Sequence, residues 1–78
     1  MSKINENINK LVADYEGKAK DCHILLEGIG ERIRDFRRGG DMDSVRLLSC
    51  DRARLSARMM AYNQAASDIE SLLNYIDE

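Results

Sequence analysis

Arg37-Arg38-Gly39-Gly40-Asp41-Met42-Asp43 is the stretch on which this chain turns back on itself. Two adjacent glycines are the one strong helix-breaking signal in a sequence that contains no proline. Gly39 or Gly40 can take the left-handed conformation that ends a helix, because no Cβ opposes it. Asp41 or Asp43 can then accept hydrogen bonds from the first free N–H groups of a second helix. Arg37 and Arg38 stand where the negative end of the first helix dipole falls, and the two aspartates stand at the positive end of the second. The local chemistry reads helix, tight turn, helix, with Gly39, Gly40 and Asp41 as the turn residues.

The flanks carry matching periodicity. Before the turn, residues recur at steps of three and four: Ile8, Val12, Tyr15, Ala19, Cys22, Leu26, Ile29, Ile33 and Phe36. After it the same rhythm gives Val45, Leu48, Arg52, Leu55, Met59, Tyr62, Ala66, Ile69, Leu73 and Ile76. This is a heptad repeat with a and d apolar. Folding the chain at the glycines sets Phe36 against Val45, Ile33 against Leu48, Ile29 against Arg52, Leu26 against Leu55 and Cys22 against Met59. Beyond these come Ala19 with Tyr62, Tyr15 with Ala66, Val12 with Ile69 and Ile8 with Leu73. The residue numbers of each pair sum to 81, and each pair joins an a to a d position. The expected fold is all-α, a two-helix antiparallel coiled-coil hairpin, with helix 1 over about 4–37, a turn over about 38–43 and helix 2 over about 44–76. Ser2 is the first choice as cap of helix 1 and Asn5 the second.

With 78 residues the chain has room for one domain. Helices of about 30–35 residues make a rod roughly 45–50 Å long. Each helix of such a rod buries a single stripe, and chains of this size rarely gain more than about 3–5 kcal/mol from one core. A partner chain is therefore expected to complete the structure. The net charge of −2 gives no general attraction to nucleic acid or membrane. No apolar run has the ~18 residues of a membrane span, and no basic-then-apolar start resembles a secretory signal, so a cytoplasmic location is expected. Cys22 and Cys50 differ by about seven residues in their distance from the turn, roughly 10 Å along the rod. That exceeds the ~7 Å Cα separation a disulfide tolerates, and both read as free thiols.

The two edges beside the seam differ. The e positions Asn9, Glu16, His23 and Gly30 face Glu70, Asn63, Ser56 and Ser49, a polar edge of small residues. The g positions are Ile4, Leu11, Lys18, Leu25 and Arg32 on helix 1 and Asp51, Arg58, Ala65 and Leu72 on helix 2. Arg32 and Asp51 are placed for a surface ion pair. A contiguous apolar strip on a small chain usually marks a partner surface, which nominates Ile4, Leu11, Leu25, Ala65, Leu72 and the nearby Tyr75 for partner binding. Gly28 and Gly30 either loosen helix 1 or admit a second backbone. Arg52, the charged residue in the seam, is expected to lay its stem over Ile29 while its head reaches water beside Glu27 or Glu31.

Catalytic chemistry is not assembled. His23 is the only histidine and reads as solvated, with no carboxylate set to complete a triad. Gly28-Ile29-Gly30 follows no strand and is no nucleotide fingerprint. No metal-ligand cluster and no cofactor site can be built, so no enzyme activity is expected. The window Arg32 to Arg58 holds eight arginines and four aspartates, a local charge of +4 that leaves −6 on the rest. Arg34, Arg37, Arg38 and Arg46 at the tip are the residues that would contact phosphates. The interleaved aspartates favour a self-neutralising face instead.

The run Arg38-Gly39-Gly40-Asp41, joining a heptad-patterned helix to one carrying Arg52, Leu55, Ala57 and Ile69, resembles the YscE/PscE-type proteins of type III secretion. The resemblance covers roughly Cys22 to Leu73. It implies a small co-chaperone whose hairpin binds and stabilises a larger helical-repeat chaperone. The two together would keep the needle subunit soluble and unpolymerised before export. Two other readings stand beside it: a homodimeric four-helix bundle with g edges packed together, and a small nucleic-acid-binding hairpin. Steep salt dependence would distinguish phosphate binding from apolar docking.

Overall fold

Residues 3–76 are described by a computed structural model, the side chain of Ile76 excepted. Ser2, Asp77, Glu78 and the seam role of Ile76 thus lie outside the described residues. Two helices account for nearly all of it: α1 spans Lys3–Arg38 and α2 spans Met42–Ile76. They lie side by side in a rod of 58 × 14 × 12 Å, and the described residues contain no strand. Because α1 begins at Lys3, Asn5 is inside the helix and does not cap it.

The link between the helices is shorter than the sequence pattern indicates, because its hydrogen bonds close within three residues. Gly40 has φ +80°, the left-handed value that ends a helix. The Gly40 N–H donates to the Arg37 carbonyl at 3.2 Å and the Asp41 N–H to the Phe36 carbonyl at 2.9 Å. These are the two bonds of a Schellman ending, and they occupy carbonyls that the helix itself leaves open. Asp41 then caps α2 at once. Its carboxylate accepts the Ser44 N–H at 3.2 Å on one oxygen and the Ser44 hydroxyl at 2.7 Å on the other. The Asp41 carbonyl accepts the first helical bond, from the Val45 N–H. Asp43 takes no part in the cap; it sits in the first turn and pairs with Arg46.

The seam follows the heptads. From Ile8 to Leu73 every a and d residue named above is buried or half-buried, Arg52 alone being exposed. Two hollows along the e side of the seam keep the same register. One joins His23 and Gly30 to Ser49 and Ser56, another Glu16 and Ala19 to Met59 and Asn63. The two tyrosines, each expected across from an alanine, reach toward one another between adjacent layers, with ring centroids 6.1 Å apart and planes tilted by 36°. The space above each alanine lets the neighbouring ring lean into it. Lys18 places its ammonium 5.5 Å from the Tyr15 ring and 5.8 Å from the Tyr62 ring, close enough for cation–π attraction.

The core is narrow. Among the described residues the buried apolar side chains are Val12, Ala19, Cys22, Ile33, Val45 and Ala66, and none is completely enclosed. The rod exposes 5976 Å², whereas a compact globule of the same mass exposes about 4,800 Å². Cys22 is buried, Cys50 is exposed, and both thiols are free.

The turn geometry separates the two glycines. Gly40→Ala forces a Cβ into the left-handed conformation and is expected to lower stability by about 1 kcal/mol. At Gly39 an added Cβ meets only the Asp35 and Phe36 carbonyl oxygens, at an ordinary 3.7 Å, so Gly39→Ala is expected to be neutral or stabilising. Chemical denaturation of both variants checks this; equal losses would refute the assignment of the left-handed residue.

Asp41 adds a pH dependence. The Ser44 hydroxyl, followed by the Ser44 N–H, holds its carboxyl below the usual aspartate value. The folded state therefore releases this proton more readily than the unfolded one. The stabilisation is complete above the ordinary carboxylate range and is lost as pH falls through the lowered value. Asp41→Asn is expected to remove that part of the acid sensitivity, as read from melting midpoints across the range of about pH 2–5.

Candidate partner-binding edge

The e edge is the smoother of the two. Gly30, Ser49 and Ser56 are half-buried along it and share an open hollow with His23, Glu27 and Arg52. Helix α1 passes unbroken through Gly28 and Gly30, and a Cβ at either would meet nothing within 4 Å. Packing inside the hairpin therefore does not require glycine there.

His23 and Arg52 are both exposed on this edge. His23 has a carboxylate partner, since its Nε2 lies 2.8 Å from Glu27 Oε1 one helical turn away. Both side chains are well exposed, so the contact is a surface pair of small energetic weight. Arg52 is exposed and borders the same hollow as Glu27 and Glu31, in keeping with a head in water beside them; the ion pairs among the described residues are His23–Glu27, Arg38–Asp35 and Arg46–Asp43. Arg32 and Asp51 on the g edge are also unpaired by this measure. All these groups face water, where ordering two long side chains costs about as much as the attraction returns.

The g edge carries the apolar exposure. Ile4 is 61% exposed, Leu11 46%, Leu25 57%, Leu72 51% and Tyr75 79%, while Ala65 is half-buried. In the seam register Ile4, Leu11, Leu72 and Tyr75 share the open end of the rod. Leu25 stands apart, beyond Lys18, which is drawn over the tyrosine rings. The strip is thus an open-end patch and an outlier, not a continuous band. One member escaped the sequence reading. Leu47, 70% exposed, occupies a c position next to the g edge near the turn. Counting c with g, as was done for Tyr75, would have found it. Ile24, Met42 and Met60 are also exposed, but the heptad puts them on the back or the e side.

No family model matches the chain, and no curated protein or solved structure matches it either. What the edge can do is read from its own residues. Among those described, no cluster of three or more His, Cys, Asp or Glu side chains is placed to hold a metal ion. No described helix is long and apolar enough to cross a membrane. At the turn, Arg38 and Arg46 lie 3.7 and 3.9 Å from Asp35 and Asp43, so part of the tip charge is answered within the chain.

The division between seam and edge is measurable. Ile33, 3% exposed, is expected to lose about 2–4 kcal/mol when changed to alanine. Leu25→Glu is expected to shift stability by less than about 0.5 kcal/mol. A large loss for Leu25→Glu in urea unfolding would place that residue in the hairpin's own core.

Proposed function

We propose that this chain is a small co-chaperone. It docks by the g edge on a larger helical-repeat chaperone, and the two together keep a type III secretion needle subunit soluble and unpolymerised before export. The observation carrying the docking half of this reading is the exposure of Ile4, Leu11, Leu72 and Tyr75 at one end of one edge, on a rod whose seam encloses no side chain completely. Apolar side chains at i, i+3, i+4 and i+7 spacing are what a second helix or a helical groove receives. The chaperone and needle half rests on the resemblance at Arg38-Gly39-Gly40-Asp41. The hairpin lends no chemistry to a substrate in this role; it stabilises its partner by covering apolar surface.

The test is a pull-down from native extract at moderate salt with the bound proteins identified by mass. Recovery of a helical-repeat chaperone with a small needle-like subunit is the expected result. Leu11→Asp and Leu72→Asp are expected to abolish that capture while circular dichroism stays helical. Undiminished capture by both variants would overturn the edge assignment, and the absence of any such chaperone would overturn the function.

A further inference from the structure

The same edge has a second occupant that can be argued without the co-chaperone reading: another copy of this chain. We infer that the free protein pairs with itself through the g-and-c face, two rods lying antiparallel about a two-fold axis near their midpoints.

The seam register carries the argument. Pairs summing to 81 put Leu47 level with Arg34, Leu72 level with Asn9 and Tyr75 level with Glu6. They put Arg54 level with Glu27 and Asp68 level with Ala13. The rod's midpoint falls at the level of Asp21. A two-fold axis there carries Leu47 to the level of Ile8, within about 3 Å of the levels of Leu72 and Tyr75 on the other copy. The same rotation carries Arg54 to the level of Tyr15, within about 3 Å of the level of Asp68 on the same helix of the second copy. One axis thus satisfies an exposed apolar residue near the turn and an arginine with no ion pair of its own.

The charge of the whole molecule selects the same direction. The Arg32–Arg58 window carries +4 and the remainder −6. Antiparallel pairing sets the basic end of each copy against the acidic end of the other, whereas parallel pairing sets like against like. On the face itself Asp51 is flanked by Arg32 and Arg54, and Lys18 is held over the tyrosine rings. The size also fits. A side measuring 58 by 12 Å is comparable to the roughly 800 Å² that each partner contributes to a standard stable interface. An isologous contact of this kind closes after two copies and does not propagate.

Sedimentation equilibrium on the full chain is expected to show a monomer–dimer equilibrium. Raising salt from about 0.1 to 1 M shortens the screening length from roughly 10 to 3 Å, and the dissociation constant is expected to rise at least about threefold. Arg54→Asp is expected to weaken the dimer similarly, and Arg54→Asp with Asp68→Arg to restore it. Direction is read by mild oxidation in a Cys50→Ser background. A Leu47→Cys chain mixed with a Leu72→Cys chain is expected to cross-link, and the Leu47→Cys chain alone is not. Within one chain the two sites lie on one helix roughly 37 Å apart, so only pairing between copies can join them. A monomer at every concentration would overturn the proposal, and so would self-cross-linking of the Leu47→Cys chain. Neither result bears on chaperone capture, which is read separately in the pull-down.

Discussion

The hydrogen bond from the Asp41 N–H to the Phe36 carbonyl, 2.9 Å long, fixes the relation of one helix to the other. Together with the left-handed Gly40 and the Asp41 cap on Ser44, it sets how many residues the chain spends in turning. A helix advances about 100° per residue. One residue more or fewer in this link would rotate the apolar stripe of α2 away from α1 by that angle. Every pairing from Phe36–Val45 out to Ile8–Leu73 depends on that count. So does the split into a polar e edge and an apolar g edge.

The seam so defined is long but one residue deep on each side. It buries small and medium side chains such as Ala19, Cys22 and Ala66, and it leaves leucines, a tyrosine and an isoleucine on one edge in water. Two helices can close only the faces they turn toward each other. Any further apolar residue at g or c needs a third helix. Under either proposal that third helix comes from another molecule, a chaperone or a second copy, and the two would compete for the same face.

Most of the fold was legible from the heptads because an a/d pattern held over the whole length admits few alternatives. Burial of Val12, Ile33 and Val45 follows from their position alone. Departures arose where side chains had freedom that spacing does not describe. Arg32 and Asp51 are at matching levels but remain apart, since exposed long side chains gain little by meeting. His23 meets Glu27 along its own helix, a contact that the a/d spacing does not show. Tyr15 and Tyr62 approach each other diagonally, a contact invisible when layers are counted one at a time. Leu47 lies at a c position near the turn, far from the open end where Tyr75, also a c residue, joins the g edge. The turn came out shorter than expected since one aspartate cap directly follows the glycine.

The tip also governs the order in which the rod can form. Phe36 and Val45 are near neighbours in sequence, while Ile8 and Leu73 are separated by most of the chain. Closing the first pair restrains a short loop, and each later pair adds only a small increment of closure entropy once the previous one has formed. Assembly therefore proceeds like a zipper from the glycines outward, with contacts that are local at every step, a topology associated with fast folding. The end that zips last is the one bearing Ile4, Leu11, Leu72 and Tyr75. The residues most in need of outside cover thus sit where the two helices come apart most readily, so a bound helix there would also act as a clasp.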